Sequence, residues 1–144
     1  MGTRKFSIAI ICLFGILFAT SCEQQNSANL DLNDSWKSTS GNGLIISGTS
    51  GTLYEFSASW QVYESEGLVS LGDLGLQNIS KTSTYSWTCL QKTMYILGGV
   101  NQYMIWSDNT SLTMSTDGLS FTTESNYTLP GGGTSSGTST FYRQ

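Results

Sequence analysis

Side chains that could perform acid–base, nucleophilic or metal chemistry are scarce in this sequence. The 144 residues include no His and three Cys, with ten acidic and six basic side chains. Without His, the chain lacks the usual general base and a common zinc ligand. It also lacks the base that would activate Cys89 as a nucleophile. We therefore expect no catalytic residue, no metal site, no cofactor and no enzymatic activity, and we interpret Cys89 as a buried, inert thiol.

Two groups of polar residues resemble sites but are better explained as surface. Glu64 and Glu66, with Asp73 nearby, could form a carboxylate pair of the kind that cleaves glycosides. Alternate polar residues in 31–35 resemble calcium ligands, but this segment lacks the central Gly and the bidentate acid of such loops. We interpret the acids as solvated charge and segment 31–35 as a turn.

Aromatic residues are the more informative set, since 12% of the chain is Phe, Trp or Tyr. On strands of a barrel, half of them would point inward, where they either fill the interior or line a cavity. An apolar or amphipathic small molecule could bind among them, oriented by Ser and Thr hydroxyls. The candidate ligand-binding residues are Tyr54, Phe56, Trp60, Trp87 and Trp106.

The charge of the chain argues against nucleic acid as a partner. The formal net charge is −4, and two of the six bases, Arg4 and Lys5, lie near the N-terminus. The other four are scattered, so they cannot neutralise a run of phosphates. These four are Lys37, Lys81, Lys92 and Arg143.

The N-terminal segment has the features of a secretory signal peptide. Arg4 and Lys5 precede an uncharged, apolar run from Phe6 to Ala19. This run is shorter than the roughly 18–20 residues that a membrane-spanning helix needs, and small residues follow it. We therefore predict a signal peptide over residues 1–21 and export of the remaining chain.

The end of this segment, Ala19-Thr20-Ser21-Cys22, resembles the lipobox of bacterial lipoproteins. The resemblance implies that Cys22 becomes the first residue of the mature chain and carries a diacylglycerol, with a further acyl chain such as palmitate on its amine. Several acyl chains anchor a protein stably to a membrane. It also implies localisation in the bacterial envelope. Because Glu23 and not Asp follows the Cys, we expect the outer membrane.

Residues 22–31 form a polar, unpatterned stretch that we interpret as a lipidated tether, and residues 32–144 form one domain. With Cys22 lipidated, Cys89 has no partner for an intramolecular disulfide. Ser, Thr and Gly outnumber helix-favouring charged residues, so we predict an all-β domain. Alternating apolar residues and regularly spaced turns indicate eight to ten antiparallel strands in up-and-down order. These strands are expected at Trp36, 44–47, 52–63, 67–71, 75–80, 84–92, 103–106, 111–116, Leu119–Phe121 and 138–143.

Three connections are predicted from their turn residues. Asp117-Gly118 suits a type I′ hairpin turn, which needs positive φ at both central residues. Residues 130–139, rich in Gly, Ser and Thr, are interpreted as a long loop before the last strand. A helical turn is allowed only at residues 64–66.

The ends of the domain resemble those of lipocalin-like, or calycin, barrels. In that family a Trp on the first strand plugs one end, and an Arg or Lys from the last strand lies over it. Trp36 and Arg143 occupy these positions here. The resemblance implies a single antiparallel up-and-down barrel closed by its first and last strands.

Small lipoproteins of this kind have no assigned activity to carry over, so two functions stay open. One is the binding of a small ligand, and the other is a non-catalytic structural or interaction role in the envelope, with a filled barrel and an unidentified protein partner.

Overall fold

The computed structural model describes residues 30–97 and 101–144, and describes side chains for residues 30–95 and 104–144. The predicted signal peptide, Cys22 and all but the end of the tether lie outside the described residues. The described chain forms one helix and nine strands. The elements are β1 (Asp34–Ser38), β2 (Gly43–Ser47), β3 (Ser50–Glu55), α1 (Ala58–Ser65), β4 (Leu74–Lys81), β5 (Ser86–Leu97), β6 (Asn101–Trp106), β7 (Asn109–Met114), β8 (Ser120–Thr128) and β9 (Thr134–Arg143).

Eight of these strands close into an antiparallel barrel. They pair in the order β1, β2, β3, β4, β5, β7, β8 and β9, and β9 pairs in turn with β1. Closure satisfies the backbone groups that an open sheet of this size would leave at two edges. The predicted all-β fold with a single antiparallel barrel is confirmed.

The strand order departs from strict up-and-down order at β5. The first part of this 12-residue strand pairs with β4 and β7, while Lys92–Leu97 pairs with β6. Strand β6 therefore pairs with the far end of β5 and extends one wall of the barrel instead of entering the closed ring.

Side chains alternate between a packed interior and the outer surface. On β8, for example, Phe121, Thr123, Ser125 and Tyr127 are buried, whereas the residues between them are more exposed. This period of two is the consequence of strand geometry. The buried apolar core consists of Leu32, Trp36, Leu44, Ile46, Leu53, Phe56, Val69, Leu76, Ile79, Trp87, Cys89, Leu112, Met114, Phe121 and Phe141.

The barrel has two ends that differ in what covers them. The chain enters at one end through residues 30–33, where the turns at 48–49, 82–85 and 115–119 also lie; we call this the closed end. At the other end, the helix end, lie the turn 39–42, helix α1 and the turn 129–133.

The predicted strand 52–63 is wrong beyond Glu55, because the chain turns there and forms α1. Phe56 is buried, and Trp60 and Tyr63 pack against the core. Phe56 and Trp60 are four residues apart, a spacing that one face of a strand and one face of a helix both allow, whereas Tyr63 matches only the helical spacing. The helical turn expected only at 64–66 is thus a helix from Ala58 to Ser65.

The predicted strand at 67–71 is also wrong, since this segment is a series of turns between α1 and β4. The amide of Leu68 donates to the carbonyl of Tyr63 (3.0 Å), and the amide of Gly72 donates to that of Leu53 (2.8 Å). Val69 is buried in the core. The apolar residues of this segment therefore hold the connection between α1 and β4 against the barrel and do not form a β-strand.

The hairpin between β7 and β8 is present, but its turn is not type I′. Among the described residues, positive φ is confined here to Gly118 (71°). The amide of Gly118 donates to the carbonyl of Ser115 (2.9 Å), and the Asp117 carboxylate accepts from the Leu119 amide (2.9 Å). These bonds give a four-residue loop in which only Gly118 needs the left-handed conformation.

The predicted long loop at 130–139 is wrong, because β9 begins at Thr134. Three successive glycines, Gly131 to Gly133, have φ between 91° and 97° and turn the chain in a short distance. The Ser- and Thr-rich residues that follow pair with β8 along their full length. Their composition resembled a linker, but their backbone has a neighbouring strand to bond with.

A close approach between β2 and β3 leads to a stability prediction. A Cβ atom at Gly43 would lie 2.6 Å from Cζ of Tyr54 and 2.8 Å from Cβ of Glu55, whereas one at Gly137 meets only Tyr127 at 3.8 Å. We expect Gly43→Ala to lower the free energy of unfolding by roughly 1–3 kcal/mol through overpacking. Gly137→Ala, the matched control, should change it by less than about 1 kcal/mol. Urea unfolding measures both, and equal effects would contradict the proposed clash.

Candidate functional site

The closed end is built around Arg143 and Trp36, which are cross-strand partners on β9 and β1. The guanidinium of Arg143 lies 4.4 Å from the centroid of the Trp36 ring, within cation–π distance. It also donates to the carbonyls of Gly118 (Nε, 2.9 Å) and Asp31 (Nη2, 2.8 Å) and forms an ion pair with Asp34. One side chain thus joins the first strand, the last strand and the β7–β8 turn.

The polar residues before β1 serve this closure. The Asp31 carboxylate accepts from the amide and the side chain of Asn33, and these bonds lower the pKa of Asp31. The Asn33 side chain accepts from the Gly48 amide (2.6 Å), and the Trp36 indole donates to the carbonyl of Leu32 (2.8 Å). The pattern that resembled calcium ligands is a turn that fastens the entering chain to the barrel.

Aromatic packing fills the barrel next to this contact. The rings of Trp36 and Phe121 meet edge to face, with centroids 4.8 Å apart, and Phe121 stacks on Phe141 at 4.8 Å. Trp36, Phe121 and Leu112 are at most 1% exposed. Packed side chains therefore occupy the closed half of the interior.

The helix end contains a cavity of about 160 Å³ that is partly open to solvent. Apolar side chains of Leu44, Leu53, Leu76 and Phe141 form its inner wall, and Trp60 of α1 lines it as well. Trp60 is held by stacking on buried Phe56, with ring centroids 6.1 Å apart. The remaining lining residues are Ser38, Ser40, Asn42, Gly43, Gly75, Gln91, Lys92, Thr93 and Ser139.

The structure does not bring the five candidate aromatic residues together at this cavity. Of the five, Trp60 lines it, and Phe56 supports Trp60 from behind. Trp87 belongs to the packed core, and the Lys81 ammonium lies 5.1 Å from its ring centroid. The Tyr54 ring packs against Gly43, and the Trp106 ring lies beside the Lys92 ammonium. Strand alternation alone could not separate these positions, because β3 ends early and β5 continues past the barrel.

A second cavity of about 160 Å³ adjoins the first, with Gln91, Thr93 and Ser139 shared between the two. Its wall includes Tyr95 and Tyr127, neither of which was among the ligand-binding residues predicted from the sequence. Burial raises the pKa of Tyr127. The alternating pattern of β8 contained the signal for Tyr127, since it continues the buried series from Phe121.

Four polar residues form a hydrogen-bonded ring beside the cavities. The backbone amide of Gln91 donates to Ser107 Oγ (2.8 Å), and Ser107, Thr110 and Ser125 are linked through their hydroxyls at 2.8 and 2.7 Å. Ser125 Oγ then donates to Gln91 Oε1 (3.0 Å). The three hydroxyl residues are at most 3% exposed, so the ring satisfies polar groups that would be costly to bury alone.

Lys92 is the one charged residue among those that line either cavity. Its ammonium lies on the outer face of β5, which points away from the barrel interior. Its cross-strand partner is Trp106, and its Nζ lies 5.5 Å from the centroid of that ring. Partners in an antiparallel pair share a face, while the adjacent Gln91 and Thr93 point the other way. Gln91 is paired with core residue Leu76, which places Gln91 and Thr93 on the interior face.

The residues considered first for chemistry lie apart from the cavities. Glu64 and Glu66 are exposed at the end of α1, and the Asp73 carboxylate accepts from the amide of Ser70 (3.0 Å). Cys89 is buried within the core, and this burial raises the pKa of its thiol to about 12. Its thiol therefore stays protonated at neutral pH.

Arg143 and Lys92 each lie over a Trp ring, but the additional contacts of Arg143 predict that its removal lowers the free energy of unfolding more. Arg143→Met should lower the free energy of unfolding by roughly 2–4 kcal/mol, because it removes the cation–π contact and the bonds to two carbonyls. Lys92→Met, the matched control on the outer face, should cost less than about 1 kcal/mol. Urea denaturation followed by Trp fluorescence measures both. Similar losses for the two variants would contradict a special role of Arg143 in closure.

Among the described residues, no helix has the length and the apolar run that crossing a bilayer would require. The same residues contain no cluster of three or more His, Cys, Asp or Glu side chains suited to a metal ion. Comparison of the chain with protein-family models, with curated proteins and with solved structures finds no match.

Proposed function

We propose that this protein is a lipid-anchored lipoprotein of the bacterial envelope whose barrel binds a small apolar or amphipathic molecule. The observation that carries the proposal is the cavity at the helix end, where Trp60 and Phe141 meet neutral polar side chains. Ligand sites typically combine an apolar wall with a few polar groups that orient the ligand. The barrel combines such a site with a packed opposite end.

The volume of the cavity limits the size of the ligand. At about 160 Å³, it is close to an apolar cavity of roughly 150 Å³ that holds benzene, and well below the roughly 300–1,000 Å³ of drug-sized sites. A molecule about the size of a single six-membered ring therefore suits it, whereas an entire phospholipid does not.

The proposed anchor gives the site an orientation. A lipidated Cys22 would precede the described chain, which begins at Leu30, by a tether that spans at most about 29 Å when extended. The chain enters at the closed end, where Leu30 packs against the core and the carbonyl of Asp31 accepts from Arg143. The closed end would then face the membrane, with the cavity on the opposite side. Because Glu23 follows the Cys, we propose the outer membrane.

A non-catalytic structural or interaction role is the second candidate, and the small volume of the cavity favours it. In that case water would occupy the polar part of the cavity, and an envelope protein would recognise the outer surface. Both candidates are non-catalytic, consistent with the absence of His from the sequence and with the buried, protonated thiol of Cys89.

The anchor predicts a change in processing when Cys22 is replaced. In cells fed radiolabelled palmitate, the wild-type chain should take up label and lose residues 1–21. Cys22→Ser should remain unlabelled and retain the longer, unprocessed form, because the thioether can form only on the thiol. Cys89→Ser, the control, should be labelled like wild type. Labelling of Cys22→Ser, or an unlabelled wild type, would contradict lipidation at this residue.

The binding proposal predicts a carried molecule. Native mass spectrometry of the full chain, purified from its own bacterium, should show added mass beyond the protein and its acyl chains. Ser139→Leu places a larger side chain between both cavities and should abolish this added mass. Ser111→Leu makes the same change on an exposed position of β7 and should keep it.

Thr93→Leu provides a second filled variant if Ser139→Leu does not fold. A wild-type protein that carries no added mass, and whose Trp fluorescence does not respond saturably to a panel of apolar compounds, would instead support the structural role.

A further inference from the structure

None of the residues that the structure describes places a formal charge in the interior of the helix end. Acidic residues are absent from the lining of both cavities, and the one base, Lys92, directs its ammonium to Trp106 on the outer face of β5. The polar groups that remain are hydroxyls, backbone atoms and the carboxamides of Asn42 and Gln91. The Asn42 oxygen accepts from the Ser57 amide at the rim, whereas Gln91 lines both cavities. A charged group that entered this space would lose its hydration without gaining a counter-charge, which is unfavourable.

The hydrogen-bonded ring determines which groups are left to meet a ligand. Ser125 donates its hydroxyl hydrogen to Gln91 Oε1, so it must accept from Thr110. The Thr110 hydroxyl is then used as well and accepts from Ser107, which itself accepts from the Gln91 backbone amide. Every hydroxyl hydrogen of the ring is used in this direction.

The same ring orients the Gln91 carboxamide. With Oε1 accepting from Ser125, the Nε2 group is the part of the side chain that is not engaged by the ring. Within the part of the chain that the structure describes, Nε2 has no protein acceptor, and Gln91 lines both cavities. Gln91 is half-buried beside a cavity that is partly open to solvent, so its two Nε2 hydrogens are available to water or to an oxygen acceptor of a ligand.

We infer that the cavity selects an uncharged, single-ring molecule that bears an oxygen acceptor, and that Gln91 Nε2 is the donor that recognises this oxygen. The inference rests on the proposed binding function and adds a charge preference and a specificity residue to it. The apolar ring of such a ligand would lie against Leu44, Leu53 and Phe141, with Trp60 beside it.

The test compares three compounds that share a six-membered ring and differ in their polar group. These are cyclohexanone, which is neutral with a carbonyl acceptor, cyclohexanecarboxylate and cyclohexylammonium. Isotope-labelled full chain in detergent micelles is titrated at neutral pH, and the indole N–H resonance of Trp60, assigned with Trp60→Phe, is followed. The wild type should give a saturable shift with cyclohexanone, and at least about tenfold weaker responses with the two ions.

Gln91→Glu provides the sharpest variant, since it keeps an oxygen to accept from Ser125 and replaces the Nε2 donor by a second oxygen. Its affinity for cyclohexanone should fall by about tenfold, the effect of one hydrogen bond. Its affinity for cyclohexylammonium should rise, because the new carboxylate supplies a counter-charge. Gln77→Glu makes the same change on β4, at a half-buried position outside either lining, and should bind like wild type.

If Gln91→Glu fails to fold, Gln91→Met removes the donor without adding charge and should show the same loss toward cyclohexanone. Binding of cyclohexanecarboxylate as tight as that of cyclohexanone, or unchanged binding in the Gln91 variants, would overturn the inference while leaving the binding function intact. The absence of a response to all three rings would also overturn it. The binding function itself is judged separately, by the mass that the protein carries from its own bacterium.

Discussion

The packing of Arg143 on Trp36 is the contact on which the rest of the barrel depends. It joins the first and last strands, which meet only because the sheet closes, and the same guanidinium holds the turn at Gly118 and the chain entry at Asp31. A cation over an indole ring is favourable when both groups are withdrawn from water, as they are here beneath the entering chain. Closure pairs the two strands that would otherwise be the edges of the sheet, so the geometry of this corner constrains every strand of the closed ring between β1 and β9.

Once this corner is packed, space in the barrel is distributed unevenly. Trp36, Phe121 and Phe141 occupy the closed half with stacked rings, and an eight-stranded barrel has little additional width. At the helix end the interior residues become smaller and more polar, and α1 covers the opening only in part. The candidate site therefore lies at the end of the barrel opposite the chain entry. A polar ring through Gln91 keeps this half of the interior ordered without filling it.

Several features were predictable because they depend on local pattern. The all-β class and most strand positions follow from alternating apolar residues and turn signals, whereas the single closed barrel was implied by the resemblance of the domain ends to calycin barrels. The failures share one physical cause, which is that local pattern does not report what a segment packs against. Phe56 and Trp60 satisfy both a strand and a helix spacing, and only the open end of the barrel made the helix the better way to bury them, together with Tyr63. The Ser- and Thr-rich start of β9 resembled a linker until β8 provided its hydrogen-bonding partner.

By itself, the sequence determined the class of fold and the scarcity of catalytic groups, because composition and short-range spacing dictate these. The pairing of Trp36 with Arg143 was implied by the resemblance of the domain ends to calycin barrels, and the structure shows it. The candidate site was decided by the tertiary structure. Of five aromatic residues chosen from strand positions, Trp60 reached the cavity, while Gln91 and Tyr127 were missed. Which side chain lines an interior depends on where each strand ends, how β5 divides its pairing between β4, β7 and β6, and which polar groups find partners at long range. Those relations join residues far apart in the chain, so no local pattern contains them.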